Sequence, residues 1–307
     1  MSEVRKVIKH SIINIGFAGV IYLGLMLVLT KVKVNDVPLV YRASEAITQK
    51  GGASYAKFQE DYLADFDLAI IGSSHAYRGY DPEIFEHYGI SAFNFGTSGQ
   101  SPSVSLLMAR EYVLHQPYEK VIVDVSEVVM SSSNLECISD LIQNVPDNGL
   151  AVKLALKSWD IRAINMYTIR MFNNEVLYES SNYKWRGYCE NPDSLSQLNH
   201  IYSGQFQFKS QQLEDLTTML TELQESGKEV VVVSHPIPLD HSKERLDAYS
   251  DTITNLCNRV DVRFMDYTRK HQLHSLHHFY DHGHLNKAGV DWFNNRLVED
   301  LKSIDFF

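Results

Sequence analysis

Two short runs constrain this chain most: Val121-Ile122-Val123 and Val230-Val231-Val232-Val233 are unbroken and β-branched. A strand with one wet face alternates apolar and polar residues. These runs do not alternate, so they suit strands covered on both faces, as in a parallel sheet. Five strand candidates of this kind fall at 68–72, 92–95, 120–125, 229–234 and 262–266. Longer amphipathic segments between and after them, at 103–115, 210–226, 241–259 and 286–304, read as helices. Gly227 stands where the second helix should end, and Pro236-Ile237-Pro238 stops a strand just before the third. This alternation predicts an α/β fold, a three-layer α/β/α sandwich around a central parallel sheet with right-handed crossovers.

Two regions depart from that rhythm. Residues 130–207 are too long for one crossover and contain Trp159 and Trp185. They read as an insertion over or beside the strand rim, helical around 150–172. At the other end, residues 11–30 form an apolar run with no charged residue, preceded by Arg5, Lys6 and Lys9. About 20 apolar residues span a bilayer core as one helix. No small-x-small cleavage site follows, so the run reads as an uncleaved signal anchor rather than a removed signal peptide.

The expected organisation is a cytoplasmic tail (1–10), a transmembrane anchor in the bilayer (11–30), a stalk (31–65) and a domain (66–307). The basic tail stays inside, which places a single-pass protein in the cytoplasmic membrane with its domain on the periplasmic or outer face. A net charge of −10 without a Lys/Arg stripe argues against nucleic acid as a partner. Cys137, Cys189 and Cys257 are widely spaced and show no zinc signature. One disulfide with one free thiol and three buried thiols are both compatible with that spacing.

The chemistry lies in two turns. Gly72-Ser73-Ser74-His75 follows the first strand candidate, and Asp281-His282-Gly283-His284 precedes the last helix candidate. In an open parallel sheet, segments at the strands' carboxyl ends meet on one rim, where ligands bind. A serine hydroxyl becomes a useful nucleophile only beside a base, with donors for the oxyanion it creates. Ser74 is the candidate nucleophile, His284 the base and Asp281 the carboxylate that orients it. Backbone N–H groups of Ser74 and Gly99 are the candidate oxyanion donors.

These blocks resemble the SGNH, or GDSL-like, hydrolase superfamily over most of the chain from Asp67 onward. The resemblance implies a flavodoxin-like sandwich and places the family's nucleophile on Ser74, with Ser73 where an aspartate is usual. Its base falls on His284, its acid on Asp281 and its oxyanion glycine on Gly99. The family's third block supplies an asparagine, whereas this chain reads Asp124-Val125-Ser126-Glu127. Ser126, or a donor from the insertion, is the candidate replacement.

His235, at the end of the fourth strand candidate, is a further rim residue, able to contact substrate or support His284. The Gly-Ser-Ser variant behind an anchor is similar to envelope proteins that move acyl groups on or off surface polymers. That similarity implies an esterase or O-acyltransferase acting on acetylated or acylated envelope glycan, without a cofactor, with a membrane-bound acyl-transfer partner possible. The missing asparagine leaves a second reading, a non-catalytic domain that binds glycan or a membrane partner.

Two rivals are weaker. An α/β-hydrolase needs Gly-x-Ser-x-Gly, and His75-Ala76 follows Ser74. The histidines at 271, 274, 277, 278, 282 and 284 suggest a metal, but no HExxH is present and zinc needs three or four converging ligands. No metal site is expected.

Overall fold

Five strands carry the core of the computed structural model, which describes residues 2–43, 48–132, 134–197, 205–238 and 242–307. They are β1 (Leu68–Ile71), β2 (Ala92–Asn94), β3 (Lys120–Asp124), β4 (Glu229–Ser234) and β5 (Arg263–Asp266). All pair in parallel, in the order β2-β1-β3-β4-β5. The unbroken apolar runs follow from burial on both sides. Ala69, Ile71, Val121, Val123 and Val232 face one core, while Leu68, Ile70, Ile122, Val231 and Val233 face the other. Fully burying one such Val or Ile contributes about 1.5–3 kcal/mol, so polar residues are costly on either face.

In chain order the longer helices are α1 (Ser2–Lys31), α2 (Gly52–Lys57), α3 (Ser74–Gly79), α4 (Pro82–His87), α5 (Pro102–Tyr112) and α6 (Leu135–Asn144). They continue with α7 (Asn148–Ser158), α8 (Ile161–Phe172), α9 (Ser210–Glu225), α10 (Lys243–Arg259) and α11 (Lys287–Lys302). Side chains of α5, α9 and α10 fill the first core, and those of α3, α4 and α11 fill the second. The three layers expected from the sequence are therefore present. The expected start of α10 at His241 lies outside the described residues.

The chain runs from β1 to β2 on one side and then crosses to β3 on the other. The strand order reverses at β1, which opens a crevice beyond the carboxyl ends of β1 and β3.

The insertion contributes α6, α7 and α8, whose apolar faces join the first core. The helical stretch expected at 150–172 is broken in two. Trp159 takes a left-handed conformation at φ 50°, and Asp160 caps α8 by accepting the N–H of Arg162. Beyond α8, the Arg186 carbonyl accepts the Asn94 N–H at 2.9 Å, and the Cys189 N–H donates to the Tyr77 carbonyl at 2.8 Å. This strap covers the edge of β2, which would otherwise offer open pairing groups. Gly187 has φ +84°, and a Cβ there would meet the Asn94 carbonyl oxygen at 1.9 Å, so only glycine fits the crossing.

Residues 31–65, expected as a stalk, are packed into the domain over much of their length. Val40, Tyr41 and Phe58 belong to the first core. Lys57 is buried and donates to the Gly96 carbonyl at 2.6 Å and to Thr97 Oγ1 at 3.2 Å. Burial pushes its pKa down to about 8. The three cysteines are all buried and free. Among the described residues, α1 is the one helix long and apolar enough to serve as a membrane anchor or signal sequence.

Candidate active site

β1 ends at Ile71, and Gly72 lets the chain turn against β3. A Cβ on Gly72 would sit 2.8 Å from Asp124 Cβ and 2.9 Å from its carbonyl oxygen. Ser73 then caps α3, its Oγ accepting the His75 N–H at 3.3 Å. Ser73 thus serves the helix. Ser74 is the first residue of α3, and its Oγ lies 2.8 Å from His284 Nε2, a contact between residues 210 positions apart.

His284 Nδ1 lies 2.9 and 2.8 Å from the two Asp281 carboxylate oxygens. Asp281 also accepts the backbone N–H groups of Gly283 and His284, each at 2.8 Å. Burial alone would raise its pKa. The His284 ring and the two N–H donors outweigh burial and hold Asp281 below the usual carboxylate range. An ionised Asp281 accepts the Nδ1 proton and leaves Nε2 free to accept from Ser74. Asp281 does not cap the following helix. Asn286 does, through its Oδ1 and the Gly289 N–H at 3.0 Å.

Ser74, Gly99, Ser126, Glu127, His235 and His284 line a common cavity of about 440 Å³. Gly99 has φ +62°, a conformation that glycine adopts freely. Its loop is pinned by Ser98, whose hydroxyl donates to Glu136 at 2.6 Å. The buried Ser126 hydroxyl has no hydrogen-bond partner among the described residues. It stands two residues beyond β3, on the lining of the cavity, and is free to serve a bound ligand. Removing one oxyanion donor typically lowers turnover about 10²–10³-fold. Ser126→Ala is therefore expected to lower kcat on p-nitrophenyl acetate by about that factor with KM little changed. A kcat within about threefold of wild type would remove Ser126 from this role.

His235 does not hydrogen-bond to His284. Its Nε2 lies 3.1 Å from the Gly283 carbonyl oxygen, so it donates there and steadies the 281–284 turn. Burial, with His284 nearby, pushes its pKa down to about 3. Its ring packs at a tilt against His75 with centroids 3.9 Å apart, and His75 meets His284 edge-on at 4.9 Å. Beneath these rings, burial pushes Asp124 up to about 8, although the Tyr80 hydroxyl donates to it at 2.8 Å.

The six histidines between 271 and 284 form no metal-sized group among the described residues. His75, Asp124 and His235 do, with ligand atoms within 4.8 Å of one another. The two rings lie in contact, tilted by 33°, and His235 Nε2 is committed to Gly283. These three side chains read as packing rather than as a tetrahedral set.

Three neighbours escaped the sequence analysis. Besides His75, Tyr280 stacks on His284 at 5.5 Å and 12°, and Arg78 bonds the hydroxyls of both Tyr77 and Tyr280. Their positions carry a signal in retrospect. His75 adjoins Ser74, Tyr280 adjoins Asp281, and Arg78 lies one helical turn beyond Ser74. A second cavity, of about 420 Å³, shares Ser98 and Glu136 with the first and extends to Lys57, Arg78 and Tyr178.

No family model matches the sequence, and no curated protein does. The chain is similar to several solved structures. A GDSL-like lipase from Bacteroides thetaiotaomicron is 11% identical over 82% of this chain and 98% of its own, with a TM-score of 0.45. A lipase/acylhydrolase from Enterococcus faecalis is 12% identical over 77% and 95%, at 0.41. The acetyl xylan esterase AlAXEase is 14% identical over 76% and 99%, at 0.42.

Proposed function

We propose that this protein is a membrane-anchored serine esterase or O-acyltransferase of SGNH type that acts on acyl, chiefly acetyl, esters of envelope glycan. The observation that carries the reading is the unbroken chain from Ser74 Oγ through His284 to Asp281, with each link at 2.8 Å. Ser74 Oγ attacks the ester carbonyl as its proton passes to His284 Nε2, and Asp281 stabilises the imidazolium. Backbone N–H groups of Ser74 and Gly99, with the Ser126 hydroxyl, receive the negative charge on the carbonyl oxygen. His284 then protonates the departing alkoxide. Water or a sugar hydroxyl, deprotonated by the same ring, releases the acyl group from Ser74.

The two neighbouring cavities, which share Ser98 and Glu136, favour a substrate larger than the acyl group. The second is lined by hydroxyl, amide and carboxylate side chains together with Tyr77 and Tyr178, a surface suited to sugar hydroxyls and ring faces. The anchor α1 holds the domain near the membrane on its periplasmic or outer side, within reach of a membrane-bound acyl donor.

A fluorophosphonate probe tests the chemistry directly. Wild type and Ser73→Ala should label and Ser74→Ala should not. No labelling of folded wild type would overturn catalysis and leave a glycan-binding domain, the reading favoured by the missing asparagine. Turnover of p-nitrophenyl acetate with and without an oligosaccharide acceptor then separates hydrolase from transferase.

A further inference from the structure

α1 does not project freely from the domain. The Tyr22 hydroxyl donates to Asn165 Oδ1 at 2.5 Å, and Lys31 Nζ donates to the Phe172 carbonyl at 2.5 Å. Met26 and Thr30, on the same side of α1, are buried. Positions 22 and 31 of α1 thus meet positions 165 and 172 of α8, so the two helices run side by side in the same direction.

This contact has a consequence for depth, given the reading that α1 spans a membrane. A hydrocarbon core is about 30 Å thick, which takes about 20 helical residues at ~1.5 Å each. Suppose that every residue from 2 to 21 lies within it. Those 20 residues rise about 30 Å, and Tyr22 then stands at the core boundary. Tilt shortens the span, and a start after the charged residues at 5, 6 and 9 shortens it further. In each case Tyr22 sits at or inside the boundary.

From Asn165 back to Ile161, α8 descends about 6 Å more in the same direction. Trp159 and the end of α7 lie beyond it. The corner between α7 and α8 must therefore enter the membrane.

The surface of that corner suits such a place. Trp159 is 95% exposed, Leu156 63% and Ile161 61%. Ile164, Met171 and Phe172 extend the same apolar exposure along α8. The nearest cations are each ion-paired: Lys153 with Glu111, Lys157 with Asp215, and Arg162 with Asp160. The corner thus carries little uncompensated charge into a lipid interface. Tryptophan also favours that depth, with an apolar ring and an N–H that reaches the headgroups.

We infer that the α7–α8 corner, led by Leu156, Trp159, Ile161 and Ile164, is inserted in the bilayer beside α1. The domain is then docked on the membrane through two elements, and its active-site mouth is held at one height and orientation.

The full-length double variant Trp185→Phe/Trp292→Phe leaves Trp159 as the only tryptophan. Reconstituted in phosphatidylcholine–phosphatidylglycerol vesicles, its emission is expected to be blue-shifted. Lipid brominated on its acyl chains should quench it about twofold, and the bromine position that quenches most reports the depth. Water-like emission insensitive to brominated lipid would overturn the inference. So would a blue shift without bromine quenching, which signals a second protein copy on the patch.

Alkaline carbonate extraction separates this failure from that of the anchor. Protein released from the vesicles overturns the membrane reading itself, whereas retained protein with unquenched Trp159 overturns only the docking of the corner. Should the double variant fold poorly, Trp159→Phe in the wild-type background must lose the bromine-quenched fraction of emission.

Discussion

Ser74→Ala is expected to lower kcat for ester cleavage by about 10⁶-fold, the loss typical of removing the nucleophile from an assembled triad. Asp281→Asn should cost about 10⁴-fold. The amide leaves the geometry nearly intact but favours the wrong imidazole tautomer, with the proton on Nε2 where Ser74 must deliver its own. Ser73→Ala is the internal control. Ser73 caps α3 rather than lining up with His284, so its loss should show as about 1 kcal/mol of stability and leave kcat within about tenfold. Steady-state kinetics on p-nitrophenyl acetate, with circular dichroism to confirm folding, measure all three. Comparable kcat for Ser74→Ala and wild type would remove the triad from the mechanism.

The second large effect concerns pH and stability. Asp124 titrates near 8 in the folded chain against 3.8 for an ordinary aspartate, because burial opposes its charge. A folded pKa above the unfolded value means that the stability contribution is fully present below 3.8 and is lost as pH rises toward 8. At neutral pH the accumulated cost is about 4 kcal/mol. Asp124→Asn removes the titration, and the Tyr80 hydroxyl can turn to accept from the new amide.

The variant should equal or trail wild type near pH 4 and gain on it steadily up to pH 8, by roughly 5 kcal/mol. His235 contributes with the opposite sign in both proteins. Its folded pKa near 3, against 6.5, means that its stability contribution is present above 6.5 and lost as pH falls toward 3. Being common to both, it cancels in the difference. Urea unfolding of detergent-solubilised protein across that range provides the test, and a pH-independent difference would contradict a neutral, buried Asp124.

The sheet and the two turns of the candidate site were legible in the sequence because each has a local signature. β3 and β4 are unbroken β-branched runs, which only burial on both faces tolerates. Ser74 and His284 each stand next to an element boundary that glycine or asparagine marks. What was hidden depends on partners far away in the chain. Lys57 sits in a polar stretch and reads as solvated, yet it is buried because the Gly96 carbonyl and Thr97 hydroxyl meet it from another loop. The break at Trp159 was invisible because helical periodicity continues through a non-glycine residue that takes a left-handed conformation. His235 was recognised as a rim residue, but its attachment to the Gly283 carbonyl depends on a backbone contact that side-chain patterns do not encode.

The Lys57 ammonium joins the segment that follows α1 to the loop carrying Gly99. A recombinant fragment begun at position 66, where the first strand suggests a natural cut, would lack that cation and leave the 96–99 loop without its floor. A fragment that keeps this loop supported must therefore start upstream of residue 52.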